Sequence, residues 1–410
     1  MEALPDHPPR PARRDLPVVL FGAFDRHNLG DLLFPHILTA CLPGHAFAYA
    51  GLARRDLGAF GGHRVAPLDA VLAEGCAHLV HVGGELLTCS AYQAAVMLLP
   101  ADAARAAVAR YDGSPDAAAW AARQLGTARR IPYVVHKPAR AGRVIFNAVG
   151  GVDWATLDAA QRAEVSAALG AADWVGVRDH LTHAALAGAG IDAQCCPDPV
   201  VMVKECHAER IRARQSQGEV QAVRARTPRG FLACQFSVDF ADDRTLAALA
   251  RGLSDVARHA GLALVFFRAG AAFWHDDLGL YEKLRRQLRG VPGHLFRSLD
   301  IWDICALIAS SRGVVCSSLH GRIVATAWGL PRVSLRPPQL GVRPDKVAAY
   351  AATWEPASIP HSVDVADLAP ALIQALALPR APLEETARRL TARYRECLAQ
   401  WRPLVEHNHG

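Results

Sequence analysis

The chain has 410 residues, of which 51% are hydrophobic and 20% are charged. This composition excludes a disordered protein and allows about two or three domains with large cores. The net charge of +6 is spread along the sequence, without the concentrated basic stripe that nucleic-acid binding requires. A modest positive excess instead suits an anionic small molecule or an anionic membrane surface.

The cysteines and the N-terminal segment indicate the cellular compartment. Ten cysteines occur without a CxxC pair or a zinc-type spacing, which predicts free thiols in a reducing environment and no metal site. Residues 1–15 are rich in proline and arginine, so we expect a disordered tail rather than a signal peptide. No run reaches the roughly 18 apolar residues of a transmembrane helix. We therefore expect a cytoplasmic protein, located in the cytosol or at the inner face of the membrane.

The first half of the chain alternates strand and helix patterns. Strands are predicted at residues 17–21, 78–82, 131–136, 144–149 and 174–177, and a long Ala-rich helix at residues 101–125. This alternation is typical of an open, mainly parallel sheet with helices on both faces. We predict a Rossmann-like N-terminal domain over residues 16–203.

Two glycine-rich turns follow strands in this half. In the first turn Gly30 permits close backbone approach, whereas Asn28 and Asp31 can cap the next helix or contact a ligand hydroxyl. The second turn contains Gly83 and Gly84, directly before an acidic residue. Turns at the carboxyl ends of parallel strands meet at one edge of a sheet, so we expect both to face one cleft.

The second half repeats the pattern after a charged connection at residues 204–229. Strands are predicted at residues 230–236, 262–267, 294–297, 313–316 and 332–335. They define a second Rossmann-like domain over residues 230–378, and residues 379–410 form a closing helix that could cross back onto the first domain. The predicted fold is α/β, with two doubly wound domains facing a cleft.

The turn between the last two of these strands combines several anion-binding groups. Ser317 or Ser318 can cap a helix that begins near Leu319. His320 and Arg322 stand in the same turn, on either side of Gly321. Free amides at a helix N-terminus beside these side chains predict a phosphate or carboxylate site. The alternative is an ordinary strand-turn-helix with solvated side chains.

These segments together resemble one protein family. The loop at residues 22–31 resembles the glycine-rich GNxGD-like loop of the polysaccharide pyruvyl transferases, with His27 in place of a usual glycine. Further elements follow in that family's order: Val82-Gly-Gly84, Val177-Arg-Asp179, Gly190-Ile191, Pro197-Asp-Pro199, Ser317-Ser-Leu-His-Gly321 and Ala327-Trp-Gly-Leu-Pro331. The similarity covers roughly residues 17–336.

The resemblance implies a two-domain glycosyltransferase-B fold and a specific reaction. Members transfer the enolpyruvyl group of phosphoenolpyruvate to two hydroxyls of a sugar, which gives a cyclic ketal and releases phosphate. No cofactor or metal is implied, and the acceptor is a sugar, a glycan or a lipid-linked glycan. Many members carry an arginine before the Leu-His pair, where this chain has Ser318. Arg322 or Arg268 could supply the missing charge.

On the donor side, the resemblance and the chemistry assign roles around the last turn. His320 is the candidate general acid, because imidazole titrates near working pH. Arg178, Arg322 and the amides after Ser318 would clamp the carboxylate and phosphate. Alternatively, His320 only supports the turn, and Arg178 forms a local ion pair with Asp179.

On the acceptor side, Asp31 is the candidate base for the sugar hydroxyls, and Glu85 is its rival. Asn28 would orient the sugar, in a loop region that includes Gly30, Gly83 and Gly84. The alternative for Asp31 is a helix cap, and Glu85 could simply face solvent.

Two other functions stay open at this stage. A nucleotide-sugar glycosyltransferase would need an acidic residue for ribose hydroxyls, for which Asp300 or Asp303 is available. A non-catalytic member would bind only a sugar or an anion. Trp274 could stack on a sugar ring or lie in the core. A basic run would suit a lipid-linked acceptor or be merely solvated: Arg129, Arg130, Lys137, Arg140 and Arg143.

Overall fold

The computed structural model describes residues 16–139, 141–341 and 345–406. The tail predicted at residues 1–15 lies outside these ranges, as do Arg140 and the last four residues of the predicted closing helix. Among the described helices, none combines the length and apolarity needed to span a membrane. The ten cysteines all fall in the described ranges and are free thiols.

The first sheet organises the N-terminal half. Within the described residues it comprises β1 (Val18–Phe21), β2 (Phe47–Gly51), β3 (Arg55–Asp56), β4 (Arg64–Pro67), β5 (His78–His81), β6 (Arg143–Val149), β7 (Trp174–Val177) and β8 (Gln194–Cys195). The spatial order is β3-β4-β2-β1-β5-β6-β7-β8, and only the short β3–β4 pair is antiparallel. The central strand β1 is a continuous buried apolar run, as expected for a parallel strand covered on both faces.

Helices connect these strands and cover the sheet. They are α1 (Leu29–Cys41), α2 (Leu68–Glu74), α3 (Ala91–Met97), α4 (Ala101–Tyr111), α5 (Ala117–Leu125), α6 (Ala159–Gly170) and α7 (His180–Gly188). The prediction of one helix over residues 101–125 is wrong, because Gly113 adopts a positive φ of 68° between α4 and α5 and Pro115 lacks an amide hydrogen.

The strand predicted at residues 131–136 is also wrong. The segment is buried but forms turns and irregular structure. β5 pairs directly with β6, which leaves no free edge beside them, and Pro132 could not donate to a ladder.

The C-terminal half is built on a second, fully parallel sheet. The connecting residues form α8 (Val203–Arg214) and α9 (Gly218–Arg226), and the strands are β9 (Phe231–Gln235), β10 (Ala263–Phe266), β11 (Gly293–Leu295), β12 (Gly313–Cys316), β13 (Arg332–Leu335) and β14 (Ser362–Val363). Their order is β11-β10-β9-β12-β13-β14. The helices are α10 (Asp243–Ala260), α11 (Leu278–Gln287), α12 (Ile301–Ser310), α13 (Leu319–Ala327), α14 (Lys346–Trp354), α15 (Leu368–Ala377) and α16 (Arg380–Glu406).

A shared core joins the two halves. Leu33 of α1, Trp302 of α12 and Leu390 of α16 belong to one buried apolar cluster. α16 also returns to the first sheet, where the Asn147 amide donates to the Tyr394 hydroxyl at 3.0 Å. The two Rossmann-like halves therefore pack together, with the carboxyl ends of both sheets adjacent to one cleft.

Candidate active site

The cleft lies where the parallel strands of both sheets end. Its volume is about 340 Å³. Arg26, Glu85 and Arg178 line it from the loops after β1, β5 and β7, while Gln235 and Ser318 line it from the ends of β9 and β12. Ligands of open α/β sheets bind at such strand ends. The predicted cleft is therefore present.

The turn before α13 forms one wall of the cleft. Ser318 is the N-cap, and its hydroxyl accepts from the Gly321 amide at 3.2 Å. The Ser318 amide donates to the Gln235 side chain at 2.8 Å, and the Ser317 hydroxyl accepts from the Ser237 amide at 3.0 Å. The next two amides of the helix, those of Leu319 and His320, have no hydrogen-bond acceptor among the described residues. These two amides can receive an anion.

His320 follows this cap and reaches across to the other half. Its Nε2 lies 3.4 Å from Asp198 Oδ2, at ion-pair distance, without meeting the angular criteria of a hydrogen bond. The edge of its ring contacts Phe34, with centroids 5.4 Å apart. A Cβ at Gly30 would stand 2.1 Å from the imidazole. Gly30 does not line the cleft, so its role is to admit the ring of His320 rather than to bind acceptor.

A buried network extends from His320 to Arg178. Arg178 donates to Asp198 at 3.4 Å and to Glu85 at 2.6 Å, and its side chain is 2% exposed. Burial alone would raise the pKa of Asp198, but His320 and Arg178 lower it below its usual value. Asp198 is therefore an anion that can orient the imidazole of His320 and stabilise its charged form.

Glu85 supports Arg178 instead of facing the cleft freely. Besides Arg178, it accepts from the Thr88 hydroxyl at 3.2 Å and from the Val152 amide at 2.9 Å. Both of its carboxylate oxygens therefore have partners. Gly83 and Gly84, predicted to contact acceptor, adopt positive φ of 122° and 96° and do not line the cleft. They form the turn that leads from β5 to Glu85.

The first glycine-rich loop contributes Asn28, Asp31 and Arg26. The Asn28 side chain caps α1 by accepting from the amides of Gly30 and Asp31, so Asp31 is not the cap. The Asp31 carboxylate lines the cleft 3.8 Å from Arg26. Arg26 donates to the Tyr133 hydroxyl at 2.8 Å, and its buried Nε has no partner among the described residues. The sequence analysis did not single out Arg26.

Two predicted donor-binding arginines lie outside the cleft. Arg322 is fully buried on the face of α13 that packs toward β13, where its guanidinium donates to Glu355 at 2.8 and 2.9 Å. Arg268 donates weakly to the Arg297 carbonyl at 3.4 Å and does not line the cleft. Gly321, also predicted to bind donor, packs beneath the turn with its amide on the cap. None of these three residues lines the cleft.

Asp276 and Lys346 are cleft residues that sequence reasoning missed. The Asp276 carboxylate accepts from the Gln235 side chain at 2.7 Å and from the amides of Ala269 and Gly270. Burial raises the pKa of Asp276 to about 7, against the effect of these hydrogen bonds. Lys346, the first residue of α14, adds a cation to the cleft. Asp276 stands on a loop and Lys346 at a helix start, and neither directly follows a strand.

The residues proposed for a ribose site serve other purposes. Asp300 caps α12 and pairs with Arg214 at 2.7 Å, and Asp303 lies 3.2 Å from the same arginine. Neither lines the cleft. Trp274 lines the cleft and is 37% exposed, so it is not a core tryptophan.

The predicted basic face is partly neutralised. Lys137 and Arg143 both pair with Asp173 at 2.8 Å, and Arg129 lies 3.5 Å from Asp69. The face consequently offers an anionic membrane less charge than its sequence suggests.

Comparisons with known proteins show which solved structures share this fold. The chain matches no curated protein significantly in sequence. The fold is similar to that of a putative UDP-N-acetylglucosamine 2-epimerase from Listeria monocytogenes, with a TM-score of 0.56 and 11% identity over 97% of this chain and 98% of that one. It is also similar to Methanocaldococcus jannaschii UDP-GlcNAc 2-epimerase, with a TM-score of 0.52 and 11% identity over 92% and 99%. Anabaena Alr3699/HepE in complex with UDP-glucose gives 0.51 and 12% over 94% and 99%.

These similarities show the glycosyltransferase-B fold, as predicted. The sequence model of the polysaccharide pyruvyl transferase family matches residues 53–337, which include most of the cleft loops. Family membership supports a transferase that modifies polysaccharides. The chain belongs to the polysaccharide pyruvyl transferase family.

Proposed function

We propose that this protein transfers the enolpyruvyl group of phosphoenolpyruvate to two hydroxyls of a glycan acceptor. One observation carries the proposal: the cleft combines buried cations, two available helix amides and titratable groups at the strand ends of both sheets. A donor with a carboxylate and a phosphate needs several positive groups in one place. The acceptor needs bases for its hydroxyls.

The donor anions are held by groups from both halves of the molecule. Arg26 and Lys346 line the cleft, and they supply the positive charge that an arginine at position 318 supplies in many relatives. The amides of Leu319 and His320 bind the phosphate at the N-terminus of α13. The guanidinium of Arg178 is paired mainly with the carboxylates of Glu85 and Asp198. Its contribution is to keep Asp198 ionised beside His320.

The reaction requires one proton to reach C3 of the donor. His320, oriented by Asp198, delivers this proton, which turns the methylene into a methyl group and leaves a cation at C2. The first sugar hydroxyl forms a C–O bond at C2. The C2–O bond to phosphate then breaks, and the second hydroxyl forms the second bond of the ketal. Of the two hydroxyl protons, one balances the proton given to C3 and the other departs with hydrogen phosphate.

Two carboxylates in the cleft accept the hydroxyl protons. Asp31 comes from the first half and Asp276 from the second. Asp276, with its pKa near 7, ionises in the range where a general base is effective. Glu85 is not assigned this role because its Oε2 forms an ion pair with Arg178 at 2.6 Å, whereas the direct hydrogen-bond partners of Asp276 are neutral groups.

The test is phosphate release from phosphoenolpyruvate in the presence of galactose-, glucose- or N-acetylhexosamine-terminated acceptors. We expect acceptor-dependent release by the wild type and its loss in His320→Ala. Full activity of His320→Ala would remove the acid role from His320 while leaving the family assignment in place. No release with any acceptor, together with no calorimetric binding of phosphoenolpyruvate, would contradict the proposal. Stabilisation by UDP-sugars alone would favour a nucleotide-sugar enzyme, and stabilisation by glycan alone a binding protein.

A further inference from the structure

An exposed tryptophan stands at the cleft in an unusual backbone conformation. Trp274 lines the cleft, is 37% exposed and has a φ of 68°. A bulky side chain in the left-handed region is uncommon and destabilising. Such strain persists only where the surrounding structure fixes the backbone, and it concentrates at functional sites.

Contacts with the first half of the chain fix the segment that precedes Trp274. The Leu29 amide donates to the Ala269 carbonyl at 2.7 Å, and the Ala271 amide donates to the His27 carbonyl at 3.2 Å. Phe273 packs against the small apolar cluster of α3, α4 and α5 in the first half. Phe273 therefore anchors the loop, which leaves the neighbouring indole of Trp274 on the surface of the cleft.

The indole of Trp274 also lies near a second aromatic residue. The centroid of Tyr92 lies 6.3 Å from that of Trp274, and Tyr92 in turn contacts Trp120 at 5.8 Å. Gln93, beside Tyr92 on α3, also lines the cleft and is exposed. A flat aromatic face next to a side-chain amide suits a ligand with one apolar face and a rim of hydroxyls.

The charges in the cleft indicate which ligand this is. Asp239, an exposed carboxylate, and Asp153 line the cleft together with Trp274, whereas the lining cations Arg26 and Lys346 are assigned above to the donor anions. Two carboxylates in the cleft lining can accept hydrogen bonds from neutral sugar hydroxyls and disfavour a further carboxylate on the sugar. We propose that Trp274 is the stacking platform for a neutral pyranose of the acceptor, an inference that rests on the pyruvyl transferase function proposed above.

The test compares Trp274→Gly and Trp274→Phe with the wild type. Glycine adopts the left-handed region without strain, so in Trp274→Gly the relief of strain should offset part of the stability lost with the buried part of the indole. The same substitution should raise the acceptor KM roughly tenfold or more, since the aromatic contact is lost, while the KM for phosphoenolpyruvate stays unchanged. Trp274→Phe should retain most acceptor affinity. Leu181→Ala, which truncates an exposed side chain of α7 outside the cleft, is the control and should change neither KM.

Binding of acceptor is also measured without donor, by saturation-transfer NMR with methyl β-galactopyranoside and methyl β-galactopyranosiduronate. We expect the wild type to bind the neutral glycoside more strongly than the acidic one, and Trp274→Gly to lose that binding. An unchanged acceptor KM in Trp274→Gly, or preference for the acidic glycoside, would overturn the inference. So would a lowered unfolding midpoint with both KM values raised, which indicates a structural tryptophan. If the wild type binds the neutral glycoside but never turns over phosphoenolpyruvate, the pyruvyl transferase proposal fails, whereas the platform is still judged by Trp274→Gly.

Discussion

Two buried clusters of arginine and carboxylate differ in what they can do. In the first, Arg178 joins Glu85 and Asp198 at the cleft. In the second, Arg322 and Arg332 enclose Glu355, and all three side chains are fully buried. Both clusters contain tightly paired charges, but the first borders the cleft and lies beside the imidazole of His320, whereas Arg322, Arg332 and Glu355 do not line the cleft. Burial and ion pairing alone therefore do not identify a functional site, because a ligand must also be able to reach the charged groups.

The electrostatics of the two clusters follow from this difference. Burial alone would raise the pKa of Glu355, but Arg322 and Arg332 lower it to about 2. Glu355 has no proton to exchange near neutral pH, so its function is to hold α13, β13 and the following segment together. Asp198 is also held ionised, but it faces His320 and can thereby stabilise a charged imidazole during proton transfer.

The largest expected effect is on stability, from Glu355→Gln. Removing one partner of a buried ion pair leaves two arginines uncompensated, which costs about 3 to 5 kcal/mol in the free energy of unfolding. The contribution of Glu355 is present above its unfolded pKa of 4.5 and is lost as the pH falls toward 2. Urea unfolding at pH 7 and at low pH measures both. Glu385→Gln, which removes an exposed partner of Arg388, should change stability by less than about 0.5 kcal/mol. Equal effects of the two substitutions would contradict the structural role of Glu355.

The second effect is on catalysis, from His320→Gln. Loss of a general acid should lower kcat by about 10² to 10⁴-fold, while the folded state is kept because glutamine fills similar space. Phosphate-release kinetics and thermal unfolding are measured on the same preparation. A lowered unfolding midpoint in proportion to the lost activity would assign His320 to the fold instead.

A third substitution perturbs His320 without changing it. Gly30→Ala places a Cβ 2.1 Å from the imidazole, so the ring must move. A displacement of about 1 Å can lower catalysis about 10²-fold. Gly170→Ala, at a position with no neighbouring atom within 4 Å, is the matched control and should leave activity unchanged. Wild-type kcat in Gly30→Ala would show that the position of His320 is not critical.

The smallest effect concerns Asp276 and pH. Because its folded pKa of about 7 exceeds the ordinary value of 3.8, its favourable contribution is complete below pH 3.8 and is lost as the pH rises toward 7. Asp276→Asn should remove this loss, and it should also remove an acidic limb near pH 7 from the pH profile of kcat/KM. Stability curves and rate profiles between pH 5 and 9 test both. A profile unchanged in Asp276→Asn would leave Asp31 as the base.

Local sequence patterns predicted the architecture because buried parallel strands have continuous apolar sequences. They also placed Ser318, His320 and Arg178 at the cleft, since each follows a strand end. They failed for Arg322 because the rotational position of a side chain around a helix depends on packing, and this helix turns Arg322 toward β13. A strand-end position was not enough for Arg268, which lies outside the cleft.

Other cleft residues could not be found in this way because contacts between distant segments position them. Asp276 meets Gln235 across 41 positions, and the loop that carries Trp274 is held by backbone bonds to the first half of the chain. Arg26 lies in the first glycine-rich loop, whose recognisable residue types are its glycines, asparagine and aspartate. Its unpartnered Nε becomes evident only in the folded cleft.

We expect the cleft, and not the buried cluster of Arg322, Arg332 and Glu355, to perform pyruvyl transfer. The most direct test follows the reaction of phosphoenolpyruvate with a glycan acceptor in D₂O by proton NMR, for the wild type, Arg178→Lys and Arg322→Lys, per folded molecule. We predict a ketal whose methyl group carries one deuterium, formed at wild-type rate by Arg322→Lys and much more slowly by Arg178→Lys. The opposite order of the two variants, or a ketal methyl without deuterium, would contradict the account.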